Sequence, residues 1–199
     1  MSTSHVSQQK PGQFANTNAW STRQLVTMAL MCAIGALFSF VQIPLLPMAP
    51  FLTYDPSLVP ALVCGFAFGP GAGIAVGSIA AVIHGLMLGE WVGSLMNIII
   101  TICFVGPASL IYKRKHTMKG ALISLVVATV CATLGAIVAN LTVGVLFWYG
   151  SFDVILPMML PAVIPFNLIK SALNAALTLL VYKAVSNLIT PKKDQVKGR

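Results

Sequence analysis

Long apolar runs limit this chain more than any other feature. The longest, Met118 to Tyr149, carries one charge, Lys119, at its start. A run of about 20 apolar residues suffices for a helix to cross a bilayer's hydrocarbon core. Several such runs follow one another, and the whole chain is 57% hydrophobic but only 8% charged. A soluble domain carries about a quarter charged residues, so this chain cannot cover a soluble surface. The runs lack strand alternation, which predicts helices rather than a barrel. The expected architecture is an all-α, six-helix transmembrane bundle, for which 199 residues leave room.

Breaks between the runs set the predicted boundaries. Residues 1–21 are polar, lack a secretory signal and are expected to form a disordered cytoplasmic tail. The membrane domain spans 22–189, and 190–199 form a basic cytoplasmic tail. The first helix is expected from about Thr22 to Ile43, with Ala29 and Ala33 at a spacing that lets helices approach closely. Next comes Pro44-Leu-Leu-Pro-Met-Ala-Pro-Phe-Leu-Thr-Tyr-Asp-Pro56. Its four prolines exclude a regular helix, yet it is apolar, which suggests a lid folded over a pocket. A short helix from Ser57 to Phe68 ends at Gly69-Pro70-Gly71. Further helices are expected at about Ala72–Leu88, Val92–Tyr112, Met118–Tyr149 and Pro157–Leu188, with Phe152 and Asp153 in a loop. Gly65, Gly69, Gly73 and Gly77 mark a close helix interface.

Charge placement predicts orientation. The net charge of +8 could indicate nucleic acid, but the basic residues cluster at the ends of apolar segments, where positive charge sets membrane topology. All 12 lysines and arginines except Lys170 fall on one side if six spans leave both termini inside. Asp55, Glu90 and Asp153 then occupy the outer loops. Membrane lipid, not nucleic acid, is the expected surroundings.

Lys170 stands apart. An ammonium at membrane depth costs a few kcal/mol or more unless paired or wet, and marks a functional site by default. In a helix, Asn167 and Asn174 share its face. Asn97, Asn140, Asn167 and Lys170 all fall in the outer halves of their helices. Single asparagines often serve only as helix glue; together with a lysine they suggest a ligand pocket. No acid lies inside a predicted span, so the partner of Lys170 is expected to be a carbonyl, a water, a carboxamide oxygen or a ligand. The same absence speaks against ion coupling. No nucleotide-binding loop or catalytic motif occurs, so the chain is not expected to be an enzyme, and uphill transport would need energy from another subunit. His84 and the four cysteines lack ligand spacing, and no metal is expected.

Taken in order, Pro44-Leu-Leu-Pro, Pro50-Phe-Leu-Thr-Tyr-Asp-Pro-Ser57, Phe68-Gly-Pro-Gly-Ala-Gly73, Val92-Gly93 with Asn97, and Pro165-Phe-Asn-Leu-Ile-Lys170 resemble the riboflavin-specific substrate-binding (S) component of energy-coupling-factor (ECF) transporters. The resemblance covers about residues 22–188. It implies a six-helix bundle in the bacterial cytoplasmic membrane that binds a vitamin in its outer half. It also implies a transmembrane coupling subunit and two cytoplasmic ATPases as partners, with riboflavin as transported ligand and no cofactor. By the same resemblance, Asn140, Asn167 and Lys170 hold the flavin, and the first loop brings Met48 and Ala49 near the ligand. Ala29 and Ala33 would face the coupling subunit. The chain departs from the family pattern at Leu58, where relatives carry an acid, and at Ala80 and Ala81, where a lysine is common. An S component for another small vitamin, and a structural membrane protein whose asparagines only join helices, are the competing readings.

Overall fold

The computed structural model describes residues 20–189, so the tails expected at 1–21 and 190–199 lie outside the described residues except for Trp20 and Ser21. The first helix, α1, runs Thr22–Ser39. Its start is written locally: Ser21 accepts from the Gln24 N–H, and the Gln24 side chain accepts from the Ser21 N–H, a reciprocal capping box. The helix stops before the expected Ile43. Ile43–Pro44 instead forms a short strand, β1, antiparallel to β2 at Thr53–Tyr54, with Ile43 opposite Tyr54. Pro44 ends the helical path because it supplies no N–H and biases the residue before it toward extended backbone. The proline-rich loop is therefore a small β-hairpin.

The remaining elements are α2 (Leu58–Phe68), α3 (Pro70–Leu88), α4 (Trp91–Arg114), α5 (Met118–Ala139), α6 (Phe152–Met158) and α7 (Ile164–Ile189). Gly69 joins α2 to α3 at φ +98°, a conformation that favours glycine. Pro70 then occupies the first position of α3, where its missing N–H goes unneeded. Thr117 caps α5 by accepting from the Gly120 N–H.

Two stretches wind as π-helix, Asn140–Tyr149 after α5 and Met159–Val163 between α6 and α7. At the first, Asn140 and Thr142 donate their side chains to the carbonyls of Ala136 and Val138. Side chains that take up i−4 carbonyls compete with the α-helical ladder. At the second, Pro161 removes a donor from the ladder. The expected loop at Phe152 and Asp153 is thus the first turn of α6, and the chain runs helically from Phe152 through Val181.

Five of the described helices are long and apolar enough to cross a membrane, the last two being Met118–Tyr149 and Phe152–Val181. The remaining apolar helix, α2, has 11 residues, about 16 Å at 1.5 Å per residue. The interior is lined with small side chains. On α5, Gly120, Ala121, Ser124, Ala128, Ala132 and Ala136 are buried, while Leu122, Val126, Val130, Leu134 and Val138 are exposed. Lipid is as apolar as leucine, so close approach, not hydrophobicity, selects which face turns inward. At the contact of α2 with α3, a Cβ on Gly73 would lie 2.7 Å from Gly65 Cα and from the Ala61 carbonyl. Gly69 serves the turn and meets nothing within 4 Å, so the four-glycine pattern is an interface at Gly65, Gly73 and Gly77 interrupted by a hinge. The four cysteines are free thiols, two of them buried.

Candidate ligand-binding site

One end of the bundle holds a cavity of about 160 Å³. Its wall comes from the C-terminal ends of α1, α3 and α5, the N-terminal ends of α2, α4 and α7, and the hairpin. These helices alternate in direction, so the ends facing the cavity lie opposite the exposed basic loop at Lys113–Lys119. Asn97, Asn140, Asn167 and Lys170, expected from sequence to meet, all line it. Of the two loop residues, Met48 is exposed and Ala49 fully buried, and neither is on the cavity wall.

Lys170 has a partner that sequence reasoning missed. Its Nζ donates to Asp55 Oδ2 at 2.7 Å, in an ion pair buried on both sides. The expectation that no acid could reach this lysine is therefore overturned. Asp55 does not stay in a solvated outer loop: the hairpin folds inward and carries the carboxylate against α7. Ser57 fixes the carboxylate, with its N–H 3.1 Å from Oδ1 and its hydroxyl donating to the same oxygen. Asn174, read from sequence as helix glue, donates to the Asp55 carbonyl at 3.4 Å and to the Lys170 carbonyl at 3.0 Å. It is fully buried, and its Oδ1 has no partner. Burial pushes the Asp55 carboxyl up, but the Lys170 charge and the Lys170 and Ser57 hydrogen bonds outweigh it and hold the group below the usual carboxylate value. The ammonium also lies 5.9 Å from the centre of the Phe166 ring, within cation–π reach.

The asparagines are oriented by their own helices. Asn140 Nδ2 donates to the Ala136 carbonyl at 2.9 Å, and Asn167 Nδ2 to the Val163 carbonyl at 2.8 Å. A carbonyl can only accept, so the NH2 end of each amide must face it. Each carboxamide is left with its oxygen and one further N–H. On Asn140 the oxygen also accepts from the Tyr149 hydroxyl at 3.3 Å. That contact needs Gly144, where a Cβ would come 2.8 Å from the Tyr149 ring.

A second polar group faces the cavity from α1 and α3. His84 Nδ1 lies 2.9 Å from the Ser39 hydroxyl, and its Nε2 lies 3.5 Å from Gln42. His84 is buried, and its place on the cavity wall does not follow from sequence. Glu90 and Trp148 complete the wall near α4 and the π-helix. The signal for Asp55 was present as an acid inside an apolar, proline-stiffened segment. Charge counting had assigned it to topology.

A family model described as "ECF transporter, substrate-specific component" matches residues 23–182. The riboflavin transporter RibU of Staphylococcus aureus (strain TCH60) is 30% identical over 179 residues, covering 86% of this chain and 95% of that protein. The riboflavin transporter FmnP of Bacillus subtilis (strain 168) is 27% identical over 171 residues, covering 80% and 90%. A solved S component of a bacterial ECF transporter superposes with a TM-score of 0.74 at 31% identity, covering 85% of this chain and 98% of that one. These likenesses set aside the enzymatic and purely structural readings and make the chain a multi-pass protein of the bacterial cytoplasmic membrane. Matched over most of its length in sequence and in fold, the chain belongs to the substrate-specific components of ECF transporters.

Proposed function

We propose that the chain captures riboflavin at the outer face of the membrane and delivers it across, powered by ATP hydrolysis on partner subunits. One observation carries the reading. The carboxamides of Asn140 and Asn167 and the ammonium of Lys170 line a single cavity at the end of the bundle away from the basic loop. The pyrimidine edge of a flavin alternates donors and acceptors, and an oxygen with an N–H on each asparagine answers that alternation. Lys170 keeps two N–H donors beyond its bond to Asp55, enough for a flavin carbonyl or a ribityl hydroxyl. Sites built this way reject analogues that lack the matching atoms. Asn97 contributes from α4, and Met48 and Ala49 belong to the loop that covers the ligand. Relatives named as riboflavin transporters support the same ligand.

In this reading six segments cross the membrane, with α2 as the short second crossing completed by the hairpin, and both termini are cytoplasmic. The coupling partners are a transmembrane subunit and two ATPases. The coupling subunit meets α1 at Ala29 and Ala33, which are exposed on a face bordered by exposed Leu25, Val26 and Leu30. Titrating the detergent-purified protein with riboflavin tests the ligand assignment. Saturable quenching of flavin fluorescence at one ligand per protein is expected, and loss of quenching in Asn167→Ala. An unquenched, colourless preparation would refute it.

A further inference from the structure

We propose that a second pocket, beside the ligand cavity, binds the ammonium head group of an outer-leaflet lipid. The pocket measures about 310 Å³ and lies where the turn from α3 to α4 meets the end of the π-helix after α5. The site is independent of which vitamin the larger cavity takes.

Four side chains give the pocket its chemistry. Glu90 and Trp91 come from the α3–α4 turn, and Phe147 and Trp148 from the last turn of the π-helix. Gly89 turns the chain at φ +72°, so that Glu90 and Trp91 follow directly on the end of α3. The rings of Trp91 and Phe147 pack edge to face, with centres 4.7 Å apart and planes at 73°. Gly93 keeps the floor open: a Cβ there would lie 3.6 Å from Glu90 Oε2 and 3.9 Å from the Trp148 ring. Carboxylate and indole thus come together over one glycine. Glu90 has no ion pair among the described residues. Aromatic faces attract a cation through their quadrupole, and quaternary ammonium groups are recognised in aromatic cages. An ammonium dressed with methyl or methylene groups satisfies both the rings and the carboxylate.

Location selects a lipid as the source of that ammonium. Trp91 begins one membrane-length apolar helix and Tyr149 ends another, so the pocket lies at the level where aromatic residues meet lipid head groups. The adjoining turns of α3 and the π-helix leave Leu86, Met87 and Leu146 largely exposed, an apolar surface on which acyl chains can lie. An ordinary belt of interfacial aromatics needs neither a hollow nor a carboxylate. Glu90, Gly93 and Trp148 also line the ligand cavity, so a bound head group packs directly against its wall.

The test uses the full-length protein carrying Trp20→Phe, which leaves Trp91 and Trp148 as the fluorescent reporters. It is reconstituted in phosphatidylglycerol vesicles doped with brominated phosphatidylcholine or, separately, brominated phosphatidylglycerol. Bromine on the acyl chains quenches an indole at contact range. The choline lipid should bind about two- to fivefold more tightly, the scale of one cation–π contact at an exposed site. Phe147→Leu removes a ring and keeps the carboxylate; Glu90→Gln removes the charge and keeps the shape. Each should bring the ratio of the two lipids close to one. Equal quenching by both lipids in the parent protein would leave an aromatic belt only and overturn the inference. A ratio retained in Phe147→Leu would also overturn it, because repulsion of the anionic lipid by Glu90 then accounts for the whole effect. Choline chloride added to undoped vesicles separates lipid from free solute. Tryptophan emission should respond only at about 1 mM or above, whereas saturation at about 1 μM would assign the pocket to a free amine and overturn the lipid assignment. If Glu90→Gln does not fold, Phe147→Leu carries the test.

Discussion

The buried pair between Asp55 and Lys170 decides most at the scale of single residues. Desolvating two charges is expensive, and their mutual attraction offsets that only with good geometry and further hydrogen bonds. Both conditions are met by the 2.7 Å contact and the donors of Ser57. Breaking one side leaves an uncompensated buried charge, so Asp55→Asn and Lys170→Met should each destabilise by about 3–5 kcal/mol. The double variant should recover most of that loss, as read from thermal melts in one detergent. Equal, additive losses would mean the two side chains act independently. Tyr149 makes a gentler case. Its hydroxyl is one neutral hydrogen bond from Asn140, so Tyr149→Phe should weaken flavin binding by about 1 kcal/mol, roughly fivefold. Fluorescence titration measures this directly. Lys170 was legible in sequence as an anomaly of depth. Its partner was not, because a count of charges by loop says nothing about which loops fold inward.

At the scale of elements, the bundle is assembled by small residues. The α2–α3 contact leaves no room at Gly73, where an added Cβ meets the backbone of Ala61 and Gly65 at 2.7 Å as well as the Val105 side chain at 2.6 Å. Gly73→Ala should therefore lower stability by about 1–3 kcal/mol, the usual range for overpacking. Gly71→Ala, two residues away and exposed, meets only the Trp20 ring at 3.7 Å and should be close to neutral. Thermal melts of the two variants separate a packing role from a general dislike of alanine there. The helix starts at Thr22 and Met118 were readable from the polar breaks before them, whereas Pro70, assigned from sequence to the break before Ala72, is the first residue of α3. The π-helical stretches were hidden. Residues 140–149 look like any apolar helix in sequence, and a widened turn shows only once side chains and carbonyls are paired. The consequence is functional: the wide turns place Tyr149 over Gly144 and against Asn140.

At the scale of the whole molecule, the cavity and the face proposed for coupling are separate. The cavity is at one end, while Ala29 and Ala33 lie on the outer face of α1, away from its buried stripe of Met28, Cys32, Gly35 and Ala36. Ala29→Trp should then leave riboflavin affinity within about twofold, as expected for a surface change away from the site, yet abolish uptake by cells carrying the coupling subunits. Loss of binding in the purified variant would place α1 in the ligand site instead. Sequence alone determined the class of solvent, most of the helices, the asparagines and lysine that line the cavity, and the family motifs. Each of these follows from contiguous composition or short spacing, since transfer into lipid and helix capping act on neighbours along the chain. Only the tertiary structure decided that the proline-rich loop is a hairpin, and that it brings Asp55 to Lys170 across 115 positions of sequence. That contact depends on α2, α7 and the hairpin packing together. Its energy comes from burial and geometry that no local stretch contains.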